Sequence, residues 1–189
     1  MAKRVFMLHG WGGTADSGWK GWLKRELGAR GFEAISPQMP GTESPKMEEW
    51  LSVLGKLVGK PDAETYFVGH SLGVVLILRY LEGLPSGKKV GGAVLVAGPT
   101  DNPDIPQIAG FFKTPFKWGK IRESCGKFVA INSDNDRYVD LKDGKVLEEK
   151  LGARLVVLHK RGHFSSSEGT EELPEALEAL LGLARTAGR

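Results

Sequence analysis

Short apolar runs alternate along the chain with longer segments in which apolar residues recur at helical spacing. The apolar runs are rich in β-branched and aromatic residues, which favour strands. Six strands are predicted, at approximately Arg4 to Leu8, Phe32 to Ser36, Thr65 to Val68, Ala93 to Ala97, Phe128 to Asn132 and Arg154 to Leu158. Strands that alternate with helices form βαβ units whose strands run parallel. The pattern therefore predicts an α/β fold built on a parallel sheet.

The segments between these strands predict five helices with recognisable ends. They run at about Trp19 to Leu27, Ser44 to Val58, Leu72 to Leu81, Asp140 to Gly152 and Leu173 to Ala184. Ser44, followed by Pro45, fits an N-cap and a first helical position, and Asp140 fits a second N-cap. The helix from Leu72 is apolar almost all round, so we expect it to be buried. The tail, residues 185–189, is expected to fray.

The composition indicates one domain and gives no sign of a charged partner. With 189 residues, 41% of them hydrophobic, the chain is long enough for one core and short for two. Its 26 basic and 23 acidic residues nearly cancel and are scattered, which argues against nucleic-acid binding. We therefore expect a single domain over residues 1–189, and nothing in the sequence supports a protein partner.

The chain also lacks the features of membrane and disulfide-bonded proteins. No apolar run approaches the roughly 20 residues of a membrane span. The apolar stretch Val5 to Leu8 is brief and leads into a His-Gly turn, so it is expected to be a core strand rather than part of a signal sequence. Cys125 is the only cysteine, which excludes an internal disulfide. These observations favour a cytoplasmic protein without a membrane partner.

The candidate chemistry begins at Gly69-His70-Ser71-Leu72-Gly73, between the third predicted strand and the buried helix. A G-x-S-x-G pattern in that context places its serine on a tight strand-to-helix turn, where glycines remove side chains that would clash. Ser71 is therefore predicted to be a nucleophile. Because a serine hydroxyl is a poor nucleophile until a base takes its proton, the hypothesis requires a histidine.

Two of the four histidines follow Ser71 in the chain. His159 lies at the end of the last predicted strand, whereas His163 lies in the loop beyond it, within Gly162-His163-Phe164. The chain order serine, acid, histidine places the base in that loop. Imidazole suits the role because its pKa lies near neutrality. His163 is therefore the predicted general base.

The acid is expected in the loop after the fifth strand, which contains three aspartates. Asp140 is better explained as a helix cap. Asp136 is preferred because Val139, three residues later, can anchor the loop, and Asp134 remains the alternative. The carboxylate would hold the imidazole in the required tautomer and stabilise the imidazolium.

A second glycine-rich loop, His9-Gly10-Trp11-Gly12-Gly13, follows the first strand. Acyl transfer creates an oxyanion that usually accepts hydrogen bonds from two backbone N–H groups. The expected donors are those of Trp11 and Leu72. The segment Gly10 to Ala15 formally matches a dinucleotide-binding fingerprint, but the second strand does not end in the acidic residue that a ribose requires.

Taken together, the two glycine-rich loops, the Asp136 to Val139 step and the Gly162-His163-Phe164 loop resemble the α/β-hydrolase superfamily. More narrowly, Trp19, Trp22 and the segments Met39-Pro40 and Met47-Glu48-Glu49-Trp50 resemble the compact serine hydrolases related to retinoblastoma-binding protein 9 and its bacterial counterparts. The resemblance spans nearly the whole chain. The chain departs from the superfamily at Ser133, where glycine often precedes the acid.

The resemblance implies a minimal α/β-hydrolase fold, a three-layer α/β/α sandwich around a mostly parallel six-stranded sheet of order 2-1-3-4-5-6. It also implies a serine hydrolase that cleaves small carboxylic esters, or amides or peptides, through an acyl-enzyme and without a metal or organic cofactor. His9, Phe112 and Trp118 are the expected substrate-pocket residues, the last two from the aromatic stretch of segment 98–123. His9 is also expected to brace the loop after the first strand rather than to act as a second base. A non-catalytic protein-interaction module on the same fold is the alternative.

Overall fold

The computed structural model describes residues 2–185, which contain one six-stranded sheet. The strands are β1 Arg4–Leu8, β2 Glu33–Ile35, β3 Thr65–His70, β4 Gly92–Val96, β5 Phe128–Ser133 and β6 Arg154–Leu158. All neighbouring strands are parallel, and their order is β2-β1-β3-β4-β5-β6. The predicted fold class and strand order are confirmed. Of the tail 185–189, which was expected to fray, Arg185 belongs to the last helix, and residues 186–189 lie outside the described residues.

Within the described part of the chain, six α-helices and two short 3₁₀ helices connect and follow the strands. The α-helices are α1 Trp19–Gly28, α2 Met47–Val58, α3 Leu72–Glu82, α4 Trp118–Ser124, α5 Leu141–Leu151 and α6 Pro174–Arg185, and the 3₁₀ helices are Pro106–Phe112 and Ser166–Glu168. Segment 98–123 therefore contains helices of its own. Asp140 caps α5 by accepting a hydrogen bond from the Lys142 amide, as predicted.

The start of α2 differs from the prediction. The helix begins at Met47 with Lys46 as its N-cap, and not at Ser44 and Pro45. The amide of Ser44 instead donates to the carbonyl of Gly41 at 2.9 Å, which closes a turn before the helix. Serine favours turns as well as helix caps, so the sequence pattern alone did not separate the two.

The helices cover both faces of the sheet in three layers. One core cluster joins a face of the sheet to α1 and α6, and includes Trp19, Leu23 and Leu180. The other cluster joins the opposite face to α2, α3, α4 and α5, and includes the fully buried Trp50. Helix α3 lies in this second cluster and is buried over Leu72 to Leu81, as its apolar sequence predicts.

The strand order creates a crevice at one edge of the sheet. Strand β2 lies on one side of β1, and β3 lies on the other side. The direction in which successive strands are added to the sheet therefore reverses between β1 and β3. In open α/β sheets, ligands bind beyond the carboxyl ends of strands at such a point. Here those ends lead directly into His9-Gly10 and into Ser71. In residues 2–185, no helix combines the length and the apolar character that crossing a membrane requires.

Candidate active site

Ser71 occupies a strained turn between β3 and α3. Its backbone adopts φ 54° and ψ −120°, a conformation that non-glycine residues rarely adopt. The Ser71 amide donates to the carbonyl of Val96 at 2.9 Å, and its carbonyl accepts from the amide of Val74 at 2.9 Å. Strain of this kind costs about 1–3 kcal/mol and persists where surrounding contacts fix the backbone. The turn holds the half-buried Ser71 side chain at the crevice.

The glycines around Ser71 allow three backbone segments to meet. A Cβ atom at Gly69 would lie 2.7 Å from Ile77 Cδ1, and one at Gly73 would overlap the carbonyl oxygen of Leu8. A Cβ atom at Gly10 would lie 3.0 Å from the Cβ of Ser71. The G-x-S-x-G glycines and the loop after β1 therefore serve the same purpose, which is close approach of β1, β3 and α3.

His163 is hydrogen-bonded to Asp136. The Nδ1 atom of His163 lies 2.8 Å from Oδ2 of Asp136, whose side chain is only 1% exposed. The other carboxylate oxygen accepts from the amides of Tyr138 at 2.8 Å and Val139 at 3.1 Å. Since a carboxylate accepts here, Nδ1 of His163 carries a proton, and Nε2 is left as the basic nitrogen of the neutral ring.

Asp134, the alternative acid, lies elsewhere. It binds the ring of His159 at 2.6 Å and accepts from the Lys160 amide at 2.9 Å. Both bonds lower the pKa of Asp134, and the backbone bond from Lys160 has the larger effect. The pair is exposed at the end of β6. The structure therefore brings Asp136, and not Asp134, to His163.

Two further polar residues join the loop of Asp136 to the loop of His163. Ser133 Oγ donates to Asn135 Oδ1 at 2.8 Å and accepts from the Arg161 amide at 2.9 Å. Asn135 Oδ1 also accepts from the Gly162 amide at 2.8 Å. Ser133, which stands where related hydrolases often have glycine, thus ties the two loops together.

Three hydrogen bonds, two from ring N–H groups and one to a carboxylate, fix the backbone around His163. The Nε2 of His70 donates to the carbonyl of His163 at 2.7 Å, and Trp19 Nε1 donates to the carbonyl of Phe164 at 3.0 Å. The amide of His163 donates to Glu168 at 2.8 Å. Burial holds the pKa of His70 well below its usual range, so the ring is neutral and donates from Nε2. These bonds position His163, and sequence reasoning missed all three.

We expect the variant His70→Phe to lose stability. Phenylalanine retains the ring contacts with Trp19 and His163 but leaves the buried carbonyl of His163 without its donor. A buried acceptor that loses its partner costs about 1–3 kcal/mol. Urea denaturation should therefore give a free energy of unfolding lower by that amount.

The matched control is His159→Gln, because the side chain of His159 is 73% exposed. Loss of a hydrogen bond between two exposed side chains should leave the free energy of unfolding nearly unchanged. Equal stability of His70→Phe and the wild-type chain would show that His70 does not hold the His163 loop.

Ser71 and His163 together line two adjoining cavities. The first has a volume of about 280 Å³ and is lined by Gly10, Trp11, Gly12, Gly13, Thr14, Ser17, Lys20, His70, Ser71, His163, Phe164, Ser165, Ser166 and Ser167. The second, of about 250 Å³, is lined by Trp11, Ser71, Pro99, Pro103, Ile105, Ile108, Tyr138, Val139, His163, Ser165 and Ser167. The first is rich in hydroxyl groups and the second in apolar side chains. We call them the polar cavity and the apolar cavity.

The two expected oxyanion donors lie next to Ser71. Leu72 is the first residue of α3, so its N–H group has no acceptor within the helix. Trp11 follows Gly10, the residue that closely approaches Ser71, and it lines both cavities. The Trp11 indole donates to the carbonyl of Glu43 at 3.0 Å, which fixes the loop from outside.

The expected pocket residues are placed differently. His9 is fully buried and outside both cavities: Nδ1 donates to the carbonyl of Gly10 at 2.8 Å, and Nε2 accepts from the Met39 amide at 3.0 Å. Burial lowers the pKa of His9, consistent with this neutral form. His9 therefore supports the loop after β1 and does not face substrate.

Phe112 and Trp118 likewise lie away from Ser71. They line a separate cavity with Arg79 and Phe116. The guanidinium of Arg79 lies 4.2 Å from the centre of the Phe116 ring and donates to the carbonyl of Phe111 at 3.0 Å. These contacts hold the aromatic stretch against α3. The part of segment 98–123 that reaches Ser71 is its aliphatic and proline-rich part, in the apolar cavity.

Within residues 2–185, no group of three or more His, Cys, Asp or Glu side chains is arranged to hold a metal ion. The groups that the structure does bring together are a serine on a strained turn, a histidine oriented by a buried carboxylate, and backbone N–H groups beside them. These are the parts that nucleophilic acyl transfer requires.

Comparison with known proteins gives consistent results. A family model described as serine hydrolase matches residues 5–181. The chain is 34% identical over 181 residues to the hydrolase YdeN of Bacillus subtilis, covering 95% of each chain, and 27% identical over 176 residues to the serine hydrolase RBBP9 of Rattus norvegicus, covering 92% of this chain and 91% of the relative.

Solved structures show the same architecture. The crystal structure of the ydeN gene product superposes with a TM-score of 0.93 at 32% identity, over 97% of this chain and 100% of that one. A hydrolase of the alpha/beta superfamily from Xanthomonas campestris superposes with a TM-score of 0.70 at 14% identity, over 98% and 99% of the two chains. The second likeness concerns the fold alone.

Proposed function

The chain belongs to the serine hydrolase family, and we propose that it cleaves small carboxylic esters through an acyl-enzyme formed on Ser71. The observation that carries the proposal is the hydrogen bond between His163 and the buried Asp136. His163 also lines the same two cavities as Ser71. A histidine oriented in this way, beside a serine on a strained turn, fits the arrangement in which a serine hydroxyl becomes nucleophilic.

In the proposed first half-reaction, Nε2 of His163 accepts the proton of Ser71 Oγ as that oxygen attacks the ester carbonyl. The carbonyl oxygen becomes an oxyanion that accepts hydrogen bonds from the N–H groups of Trp11 and Leu72. The imidazolium then gives its proton to the leaving alcohol as the carbon–oxygen bond breaks. The product is an acyl ester on Ser71.

In the second half-reaction, His163 accepts a proton from water, and the resulting hydroxide attacks the acyl carbonyl. Collapse of the second oxyanion returns the proton to Ser71 and releases the carboxylic acid. Asp136 remains ionised throughout and stabilises the imidazolium. All proton transfers use these side chains, and the proposed cycle draws on no metal or organic cofactor.

The size of the cavities supports small substrates. The apolar cavity, of about 250 Å³, would hold a short acyl or alkyl group among Pro99, Ile105 and Ile108. Drug-sized ligands occupy sites of about 300–1,000 Å³, so this cavity is small by comparison. Esters are favoured over amides because an alcohol leaves more readily than an amine.

A panel of model substrates tests the proposal. We expect the purified chain to hydrolyse 4-nitrophenyl acetate and butyrate, with kcat/KM falling about tenfold or more at octanoate, since a long chain exceeds the cavity. Aminoacyl 4-nitroanilides of similar size should react more slowly than the short esters. Absence of hydrolysis across the whole panel would favour the alternative, a protein-interaction module on the same fold.

A further inference from the structure

Lys20 is a buried lysine next to the nucleophile. It is the second residue of α1, is only 4% exposed and lines the polar cavity together with Ser71 and His163. Among residues 2–185, its ammonium group forms neither a hydrogen bond nor an ion pair. Lysine is almost never buried without a partner, because a desolvated charge is costly. Its Nζ lies 5.6 Å from the centre of the Trp19 ring, a contact that compensates a buried charge only in part.

The charges around Lys20 leave its ammonium uncompensated at close range. Asp16 and Glu171 attract it from beyond ion-pair distance, and Asp16 is already paired with Lys24 at 3.6 Å. His70 and His9 also lie close enough to interact with Lys20 electrostatically, but burial lowers the pKa of each, so both rings are neutral. Burial lowers the pKa of Lys20 to about 8. At neutral pH most molecules therefore carry a positive charge in the cavity.

The remaining lining of the polar cavity suits an anion. Five hydroxyl-bearing residues surround it: Thr14, Ser17, Ser165, Ser166 and Ser167. No aspartate or glutamate lines it among the described residues. Hydroxyl groups donate hydrogen bonds to carboxylate or phosphate oxygens, and an ammonium supplies the opposite charge. The volume of about 280 Å³ accommodates such a group beside the ester.

From this arrangement we infer that Lys20 binds an anionic group of the substrate, so that the preferred esters carry a carboxylate or a phosphate near the scissile bond. The inference rests on the proposed esterase activity and adds the substrate class to it. The apolar cavity would hold the uncharged part of the same molecule, on the other side of Ser71.

Matched ester pairs test the inference. One pair places a carboxylate on the acyl group, as mono-4-nitrophenyl glutarate against 4-nitrophenyl butyrate. The other places it on the leaving group, as 4-acetoxybenzoate against its methyl ester. For each pair, the measured quantity is kcat/KM of the anionic ester divided by kcat/KM of the neutral ester. For at least one pair, Lys20→Met should lower this ratio by about 10- to 100-fold, as expected for the loss of a charged hydrogen bond. Lys20→Arg should retain part of the preference.

The control is Arg25→Met on the same helix, because Arg25 is exposed and lies outside the cavity. It should leave both ratios unchanged. In the wild-type chain, the preference for the anionic ester should also weaken as pH rises through about 8, where Lys20 loses its proton. Identical ratios in Lys20→Met and wild type for both pairs would overturn the inference.

A binding measurement separates this inference from the proposed activity. Calorimetric titration of the Ser71→Ala chain with glutarate and with inorganic phosphate needs no turnover, and the two ligands distinguish a carboxylate site from a phosphate site. We expect at least one of them to bind about tenfold more weakly when Lys20→Met is added. Equal binding with and without Lys20, or binding of neither anion, would refute the anion site. Anion binding that depends on Lys20, without hydrolysis of any ester by the wild-type chain, would refute only the esterase.

Discussion

Replacing Ser71 with alanine is expected to lower kcat for 4-nitrophenyl butyrate by about 10⁴-fold or more, leaving only the residual catalysis that binding and the oxyanion donors supply. The proposed chemistry needs an oxygen on this side chain, and neither neighbour in the turn, His70 or Leu72, carries a hydroxyl. Alanine fits the turn because the variant removes only Oγ. The measurement is initial-rate kinetics with the purified full-length chain.

The control for this prediction is Ser52→Ala, since Ser52 is exposed on α2 and far along the chain from both cavities. Its kcat should equal that of the wild type within about twofold. Near-normal turnover by Ser71→Ala would mean that another group attacks the ester. The proposed mechanism would then be wrong even though the family assignment stands.

Asparagine at position 136 is expected to reduce kcat by about 10⁴-fold, while asparagine at position 134 changes it by less than about threefold. An amide at position 136 retains the shape of the side chain but offers His163 an N–H donor or an uncharged oxygen. The imidazole then takes the wrong tautomer or loses stabilisation of its charged form. Asp134 serves an exposed pair with His159, which is remote from the proposed proton transfer.

The two variants control each other because they make the same chemical change in the same loop, two residues apart. Measured together, they decide which aspartate orients the base. A large loss in Asp134→Asn with little change in Asp136→Asn would reverse the assignment. Equal large losses would indicate that the loop as a whole had been disturbed, a result that urea denaturation of both variants would reveal.

Much of the fold could be predicted from sequence because its signals are local. The alternation of apolar strands with helical periods predicted the parallel sheet, and the resemblance to the α/β hydrolases predicted the strand order. Ser71 and its flanking glycines were recognisable because a tight turn constrains consecutive residues. The structure also places His163 beside Asp136, the preferred aspartate, and the apolar side chain of Val139 is buried, as the anchoring argument expected.

The supporting contacts could not be predicted because they join positions that are far apart in the chain. Trp19 and Phe164 are separated by 145 residues, and Trp19 in the sequence indicated only an apolar helix face. Its indole N–H is one of three groups that hold the His163 loop, with His70 and Glu168. Ser133 also links two distant loops, through the hydrogen bond that its hydroxyl accepts from the Arg161 amide. A single hydroxyl leaves no periodic pattern in the sequence that would predict such a link.

The residues that line the substrate pocket could not be predicted from the sequence either. Large aromatic side chains in segment 98–123 suggested a substrate pocket, but they serve Arg79 and α3, and the aliphatic Ile105 and Ile108 line the apolar cavity instead. Which residues of an irregular segment face a site depends on how its short helices turn, and composition does not determine this. Lys20 was overlooked because one lysine in an amphipathic helix normally indicates a solvated face.

The central claim is that Ser71 is an activated nucleophile, and reaction with a fluorophosphonate tests it most directly. The reagent phosphonylates a serine only where a base and an oxyanion site assist the attack, so the adduct reports the assembled site without requiring the natural substrate. Intact mass measurement followed by peptide mapping should find one adduct, located on Ser71, and none in the Ser71→Ala chain. An unmodified folded protein, or an adduct on another residue, would contradict the account.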